Sequence, residues 1–445
     1  MGAQALRWSW CRILFPATMP IVAAASVSAQ TARTDTSTTA FDVGHVHVIL
    51  RQNTANEVVA ANVYLVGGTQ QLTPQNAGVE VLMLAASEDG TRKFSKETLR
   101  RITARTGATI VIRPGVDWTE FGVRALRQSF DSSWAVLADR LVQPRLDSID
   151  VDRARQQMLT NALQADADPD AAVTHLAEGL LYAGHAYRLD PEGTPTSLRA
   201  LTVEDVRRYH DNQVVQSRIL VVVVGNVSRE QLECAVSSTL ARLPMGSYVW
   251  APPRDLTPAA ERLKKLSRSL PTNYILGYYP GPRAGTRDYD ALRIATAVLS
   301  GRLFAEVRSR EHLTYAVEAP FLERAISSGG LYVTTTDPAA ALEAMEQEVR
   351  RLQTTLVDPV GLRMLVRGFI TDYFLKNETD ADQASFLARE QLYEGDYRKA
   401  GDFMERLREI TPDDVQRVAQ IYMHGMKFGF VGDTTKIPVS LGLQF

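Results

Sequence analysis

The chain has 445 residues, 45% of them hydrophobic and 22% charged, with a formal net charge of −2. These are globular proportions, and the length suits two or more domains. The charge balance argues against a nucleic-acid partner, which asks for a basic face, and only two cysteines argue against a disulfide scaffold.

The chain opens with Arg7 and Arg12, an apolar run over residues 13–25 and the small-residue triplet Val27-Ser28-Ala29. This is the pattern of a secretory signal peptide, residues 1–29, cleaved after Ala29. A membrane anchor is the rival reading. The run is short and holds Pro16 and Pro20, whereas a span needs about 20 apolar residues. No later stretch reads as a span. The mature chain is therefore expected to be soluble and outside the cytoplasm, most simply in a bacterial periplasm. Cys11 leaves with the signal and Cys234 is then alone, so Cys234 reads as a small apolar residue on a buried helix face.

Residues 46–50 and 58–66 are strand-like by their β-branched content. His45 and His47 alternate along the first strand and so share a face. Two such side chains can begin a zinc site, but no third ligand follows nearby, and an exposed strand face is the plainer reading. Thr73-Pro74 opens a helix. Ser95 opens another, ended by Gly107. Residues 108–112 and 116–126 form a hairpin across Pro114-Gly115. His185 sits in a loop beside Tyr187 as a structural residue, while His175, His210 and His424 read as surface helix residues. Ser228, with Gln231 three places on, starts a helix in a capping box.

Residues 248–258 contain Pro252, Pro253 and Pro258 and read as an extended linker. Beyond it come a strand over 273–279, a helix over 288–299, a strand over 331–336 and two long helices over 338–355 and 359–376. Gly277, Gly281 and Gly285 surround Pro280 and Pro282. They lack the spacing of a phosphate loop and read as a strand-to-helix turn, with a substrate-gating loop as the alternative. No G-x-S-x-G elbow and no C-x-x-C pair occurs.

The chain also repeats itself. Thr202-Val203-Glu204-Asp205-Val206-Arg207-Arg208 is answered by Thr411-Pro412-Asp413-Asp414-Val415-Gln416-Arg417. Each threonine can cap a helix whose first turn is acidic. Each helix precedes a strand that ends in glycine, at Gly225 and at Gly432. Two homologous domains follow from this: residues 30–247 and 259–445, joined by 248–258. Hairpins mixed with helix pairs indicate α+β layers rather than a doubly wound sheet.

In this order and spacing the motifs resemble the pitrilysin/insulinase zinc peptidases in their small two-domain form. The resemblance rests on the second strand ending Val66-Gly67-Gly68-Thr69, on Gly78 heading a helix and on Gly184-His185-Ala186-Tyr187. It extends to Pro191-Glu192-Gly193-Thr194 and to Ser300-Gly301-Arg302-Leu303-Phe304 running through Arg308 to Leu313-Thr314-Tyr315. It implies two homologous α/β domains facing each other as a clamshell. Peptide-cutting members carry H-x-x-E-H, whose histidines bind zinc and whose glutamate activates water, with a third ligand on a later helix. Laid on that motif, this chain has Val81 and Ala85 for the histidines, Leu84 for the glutamate and Asn161 for the third ligand. The helix around them reads as apolar nearly all round. Alkyl side chains cannot coordinate zinc and an amide is a poor ligand, so no metal is expected on this chain.

Arg308 and Tyr315, seven positions apart, are by spacing alone a solvated arginine and a packing tyrosine. The resemblance gives them another role. In that family the equivalent pair orients the substrate carbonyl and stabilises the oxyanion. His312 stands between them where the family usually has glycine. The expected function is thus that of a non-metal-binding subunit of a heterodimeric periplasmic zinc peptidase. It would have no independent activity and would lend Arg308 and Tyr315 in trans to a homologous H-x-x-E-H partner that holds the zinc and acts on peptides. A catalytically silent structural or peptide-binding subunit is the alternative.

Overall fold

A computed structural model of the chain describes residues 37–437. The expected signal peptide and its cleavage point lie outside the described residues. The first half runs β1 (Thr38–Val43), β2 (Val46–Gln52), β3 (Val58–Val66), α1 (Val79–Ala86), α2 (Lys96–Thr106), β4 (Thr109–Pro114), β5 (Trp118–Leu126), α3 (Phe130–Val142), α4 (Ser148–Ala167), α5 (Pro169–Leu181), α6 (Pro195–Ala200), α7 (Val203–Gln213), β6 (Ile219–Gly225) and α8 (Arg229–Ser237). The second runs β7 (Leu263–Ser267), β8 (Asn273–Arg283), α9 (Arg287–Leu303), a π-helical turn (Phe304–Arg310), β9 (Thr314–Glu318), β10 (Phe321–Leu322), β11 (Ile326–Thr335), α10 (Pro338–Thr354), α11 (Pro359–Lys376), α12 (Asp380–Glu394), α13 (Phe403–Arg408), α14 (Pro412–Tyr422) and β12 (Lys427–Gly432).

Each half builds one sheet, ordered β1-β2-β6-β3-β5-β4 and β7-β12-β8-β11, with β9 and β10 both on the outer edge of β11. The repeat read in the sequence is physical. Thr202 and Thr411 both close capping boxes, with Asp205 and Asp414. The strands that follow, β6 and β12, each make one parallel pairing, to β2 and to β7, inside sheets that are otherwise antiparallel. They end at Gly225 and Gly432 with φ of 144° and 145°, a conformation that L side chains avoid.

The sequence of β6, Ile-Leu-Val-Val-Val-Val-Gly, has no polar face and must be covered on both sides. One side is covered by the first half's own helices, through Leu82, Trp134, Val206 and Leu232. The other is covered by α12 of the second half, whose Ala384, Leu387 and Ala388 pack on Ile49, Tyr64, Val222 and Val224. The second sheet is treated in the same way. Its outer face receives α5 of the first half, with Val173, Ala177 and Leu181 against Leu276, Tyr278 and Val431. The two halves thus exchange equivalent helices.

Several expectations are corrected. Residues 74–78 form turns and the helix begins only at Val79, behind Gly78 with φ of 91°. A Cβ on Gly78 would stand 2.8 Å from the Glu192 carbonyl oxygen. The opening strand folds back at Gly44, so His45 lies in a turn and does not share a strand face with His47. Gly277 and Gly281 lie within β8. A Cβ on Gly277 would meet the Phe428 ring at 2.3 Å, and the turn into α9 falls at Gly285 instead. Cys234 is exposed rather than buried. The cap at Ser228 is one-sided: Gln231 Nε2 donates to Asp131 at 2.8 Å instead of reaching back.

Candidate functional site

Two of the four positions laid on the zinc motif are core side chains. Val81 and Leu84 on α1 are buried, and Ala85 is half-buried. Asn161, on α4, is exposed and accepts a hydrogen bond from Gln157 Nε2 at 3.0 Å. Two alkyl groups, a methyl and an amide do not fit zinc. Among the described residues no group of three histidines, cysteines or carboxylates is placed to hold a metal.

The polar groups near this helix serve the fold. The expectation that α1 is apolar nearly all round fails at Glu80, which is 3% exposed. Its Oε2 accepts from Arg218 Nη2 at 3.1 Å and from the Tyr209 hydroxyl at 2.8 Å. Arg218 also donates to the Val66 carbonyl at 2.9 Å. Burial pulls the Arg218 guanidinium down, but Glu80 and Tyr209, through charge and hydrogen bonds together, more than offset this and its pKa is raised. The other end of α1 is held by Arg140, which donates to the Leu84 carbonyl and to Ser87 Oγ, both at 3.1 Å. Burial pushes this guanidinium down to about 10.

The second-half pair is presented differently. Three departures from regular backbone fall within residues 304–315. Helix α9 runs into the π-helical turn, which carries Arg308. His312 follows in the left-handed region, with φ of 54°, the conformation that glycine adopts freely. Then β9 bulges. Thr335 is opposite Thr314 and Thr334 is opposite Ala316, so Tyr315 has no partner on β11. Thr314 Oγ1 pins the bulge, taking the Ala316 N–H at 3.0 Å and donating to the Thr334 carbonyl. A bulge re-aims the side chain it carries, and Tyr315 is 89% exposed.

Arg308 is also exposed and, among the described residues, makes no ion pair. Its guanidinium lies 4.8 Å from the centre of the Phe304 ring. Arg310 in the same turn is paired with Glu306 at 2.7 Å. Phe304, itself half exposed, was missed in the sequence, although its i, i+4 spacing to Arg308 is the signal for such a stack. Helix α1 packs on α4, α7 and β4, whereas the π-helical turn packs on α9, α10 and β9. The degenerate motif and the Arg/Tyr pair therefore stand on different sheets.

The remaining histidines have structural partners or none. His185 is buried, and burial holds its pKa low. It accepts from the Tyr187 N–H at Nδ1 and meets the Arg254 carbonyl at Nε2, both at 3.1 Å. His47 is 2.7 Å from Asp42, and His210 meets the Leu141 carbonyl at 2.9 Å. His175 and His424 are exposed.

Two exchanged α/β halves, a motif helix with alkyl side chains at the aligned positions and a displayed arginine and tyrosine define a peptidase-like chain. Residues 47–196 match the family model "Insulinase (Peptidase family M16)", and residues 200–364 match "Peptidase M16 inactive domain". The chain belongs to the M16 insulinase family. It is 23% identical over 371 residues to an uncharacterized zinc protease of Streptomyces coelicolor, covering 79% of this chain and 80% of that one. Its fold is similar to a peptidase M16 inactive domain from Pseudomonas fluorescens, with a TM-score of 0.82, 17% identity and coverage of 89% and 98%. It is also similar to the periplasmic protease PqqL of Escherichia coli, with a TM-score of 0.74 and 14% identity over 90% of this chain and 46% of that one.

Proposed function

We propose that this chain is the non-metal-binding subunit of a two-chain peptidase and lends Arg308 and Tyr315 to a composite site on a homologous H-x-x-E-H chain. The observation that carries this reading is a contrast. Val81 and Leu84 at the motif positions are buried alkyl side chains, while Arg308 and Tyr315 stand exposed on a π turn and a β-bulge. Such irregularities cost free energy and cluster where function needs them. Decay would more simply have left a regular helix and strand.

In the composite site the Arg308 guanidinium donates to the substrate carbonyl oxygen, and the Tyr315 hydroxyl donates one directed hydrogen bond to the developing oxyanion. Zinc and the activated water belong to the partner. Among the described residues, β9 pairs only with β11, and its other edge can take an extended peptide by backbone pairing. The leader at residues 1–29 supports a periplasmic location, as in the similar PqqL protein.

The test is co-expression with a homologous H-x-x-E-H chain. The pair should hydrolyse peptides that neither chain hydrolyses alone. Arg308→Ala or Tyr315→Phe should lower kcat about 10²–10³-fold, with the complex intact on size-exclusion chromatography. Partner-dependent turnover that ignores both substitutions would establish the alternative, a silent scaffold, which the filled core of α1 alone would equally suit.

A further inference from the structure

One cavity of the first half lies on other elements than the Arg/Tyr segment. About 770 Å³ in volume, it opens between α3, the 143–146 loop, α7 and the 238–244 loop of the first half. Its floor is apolar, formed by Ala138, Val142, Val214 and Leu243. Five cations line it, Arg92, Lys93, Arg145, Arg207 and Arg242, against two carboxylates, Asp139 and Asp211, in a chain whose net charge is −2.

The pairing of these groups decides what the cavity can bind. Arg145 is neutralised by Asp147 and Asp150. Asp139 is engaged as acceptor of the Thr91 hydroxyl. Asp211 sits 3.2 Å from His210 at the rim. Arg207 donates to the Leu146 carbonyl at 2.9 Å and has no carboxylate partner. Leu146 is held at φ of 50° beside it. Arg92, Lys93 and Arg242 have no ion pair among the described residues. Four cations without an ion-pair partner among the described residues thus outnumber the two carboxylates, Asp139 and Asp211, that share the concavity, an excess of positive charge that a bound anion would offset.

From this we infer that the cavity is a binding site for a compact organic phosphate, taken either as a free molecule or as a phospholipid headgroup. Its volume is that of a small-molecule site of about 300–1,000 Å³ rather than a site for a bare ion. Guanidinium forks match phosphate oxygens in pairs, and the apolar floor takes the organic body. No strand lines the cavity, so there is no free ladder edge to hold an acidic peptide in extended form.

The test titrates the full chain with inositol hexakisphosphate by calorimetry at physiological salt. In parallel arms it is offered phosphatidylglycerol vesicles and a poly-glutamate peptide. Saturable one-to-one binding of the soluble phosphate is expected. It should weaken about tenfold or more for each lost charge-assisted contact in Arg92→Gln and Arg242→Gln, and remain unchanged in the distant surface variant Arg398→Gln. Vesicle binding with the same sensitivity, but none to the soluble phosphate, identifies the headgroup as the source and upholds the site. No saturable binding in either arm overturns the inference. So does binding indifferent to Arg92→Gln and Arg242→Gln in folded protein, or poly-glutamate bound more tightly than either phosphate probe.

Discussion

The Tyr393 hydroxyl on α12 donates to Asp117 Oδ2 at 2.7 Å, joining a helix of the second half to the start of β5 in the first. The same carboxylate accepts from the Tyr187 hydroxyl at 2.5 Å and from the Ala325 N–H at 2.9 Å. Asp117 is 3% exposed, so all three donors depend on it in a dry seam. Arg324 and Glu178, paired across the seam at 2.7 Å, close it nearby. Asp117→Ala should cost about 3 kcal/mol, on the order expected for leaving several buried donors without an acceptor. Denaturant melts of wild type and variant measure it, and a change under about 0.5 kcal/mol, the range of an ordinary surface substitution, would contradict the role.

The same carboxyl gives a pH dependence. Burial raises its pKa, and the hydrogen bonds from Tyr187, Ala325 and Tyr393 recover only part of that. An acid with a raised folded-state pKa binds its proton more tightly in the native state than in the unfolded one. Its contribution is therefore full below the ordinary carboxylate range of about pH 4 and is lost as pH rises through the folded-state pKa. Measured against Asp117→Asn, which does not titrate, wild type should lose relative stability as pH is raised from acid towards neutrality. A difference independent of pH, or one of opposite slope, would refute the assignment.

Glu80 and Arg218 form the ion pair that anchors the motif helix, with side chains 4% and 1% exposed. Removing one partner leaves the other charged and buried, at a cost of about 3–5 kcal/mol. Glu80→Gln and Arg218→Met should each reach that range. The double variant should cost clearly less than the sum, because neither charge is then stranded. Additive losses in a double-mutant cycle would show that the pair is not coupled.

The sequence made some of this legible for physical reasons. Capping threonines at 202 and 411 and the uniform apolar run of β6 are local signals, and they located the repeat and its strands. The exchange of α5 and α12 has no local signature: an all-apolar strand says that both faces are covered, not by which helix. Glu80 reads as an ordinary first-turn acid, and only Arg218, distant in sequence, turns it into a core residue. Tyr315 is singled out by the family resemblance of its segment and not by its spacing from Arg308. Its bulge depends on register with β11, which no single segment encodes.

His312 offers a test of the backbone beside the Arg/Tyr pair. A non-glycine residue in the left-handed region carries a cost of about 1–2 kcal/mol. Its side chain is exposed, so it returns little through packing. His312→Gly should leave stability unchanged or raise it by up to about 1 kcal/mol, with the unfolded-state entropy of glycine limiting the gain. His312→Val should cost more than about 1 kcal/mol, since a β-branched residue fits that conformation poorly. Equal melting temperatures for the two variants would place His312 outside the left-handed region in solution.

The alignment of the degenerate motif can be tested by rebuilding it. Val81 is 8% exposed, Ala85 half-buried and Asn161 exposed, so Val81→His, Ala85→His and Asn161→Glu put three zinc ligands where side chains can reach solvent. Leu84 is 0% exposed, and Leu84→Glu buries a carboxylate among apolar neighbours, which costs several kcal/mol or forces its protonation. The triple variant should fold and retain zinc after dialysis, read by metal analysis, where wild type retains none. Adding Leu84→Glu should lower the melting temperature sharply in the metal-free protein and less in the zinc-loaded one, because the cation offers the buried charge a partner. A folded triple variant that takes up no zinc would mean that these four positions do not converge. The reading of α1 and α4 as a lost metal site would then fail, even with Arg308 and Tyr315 still displayed.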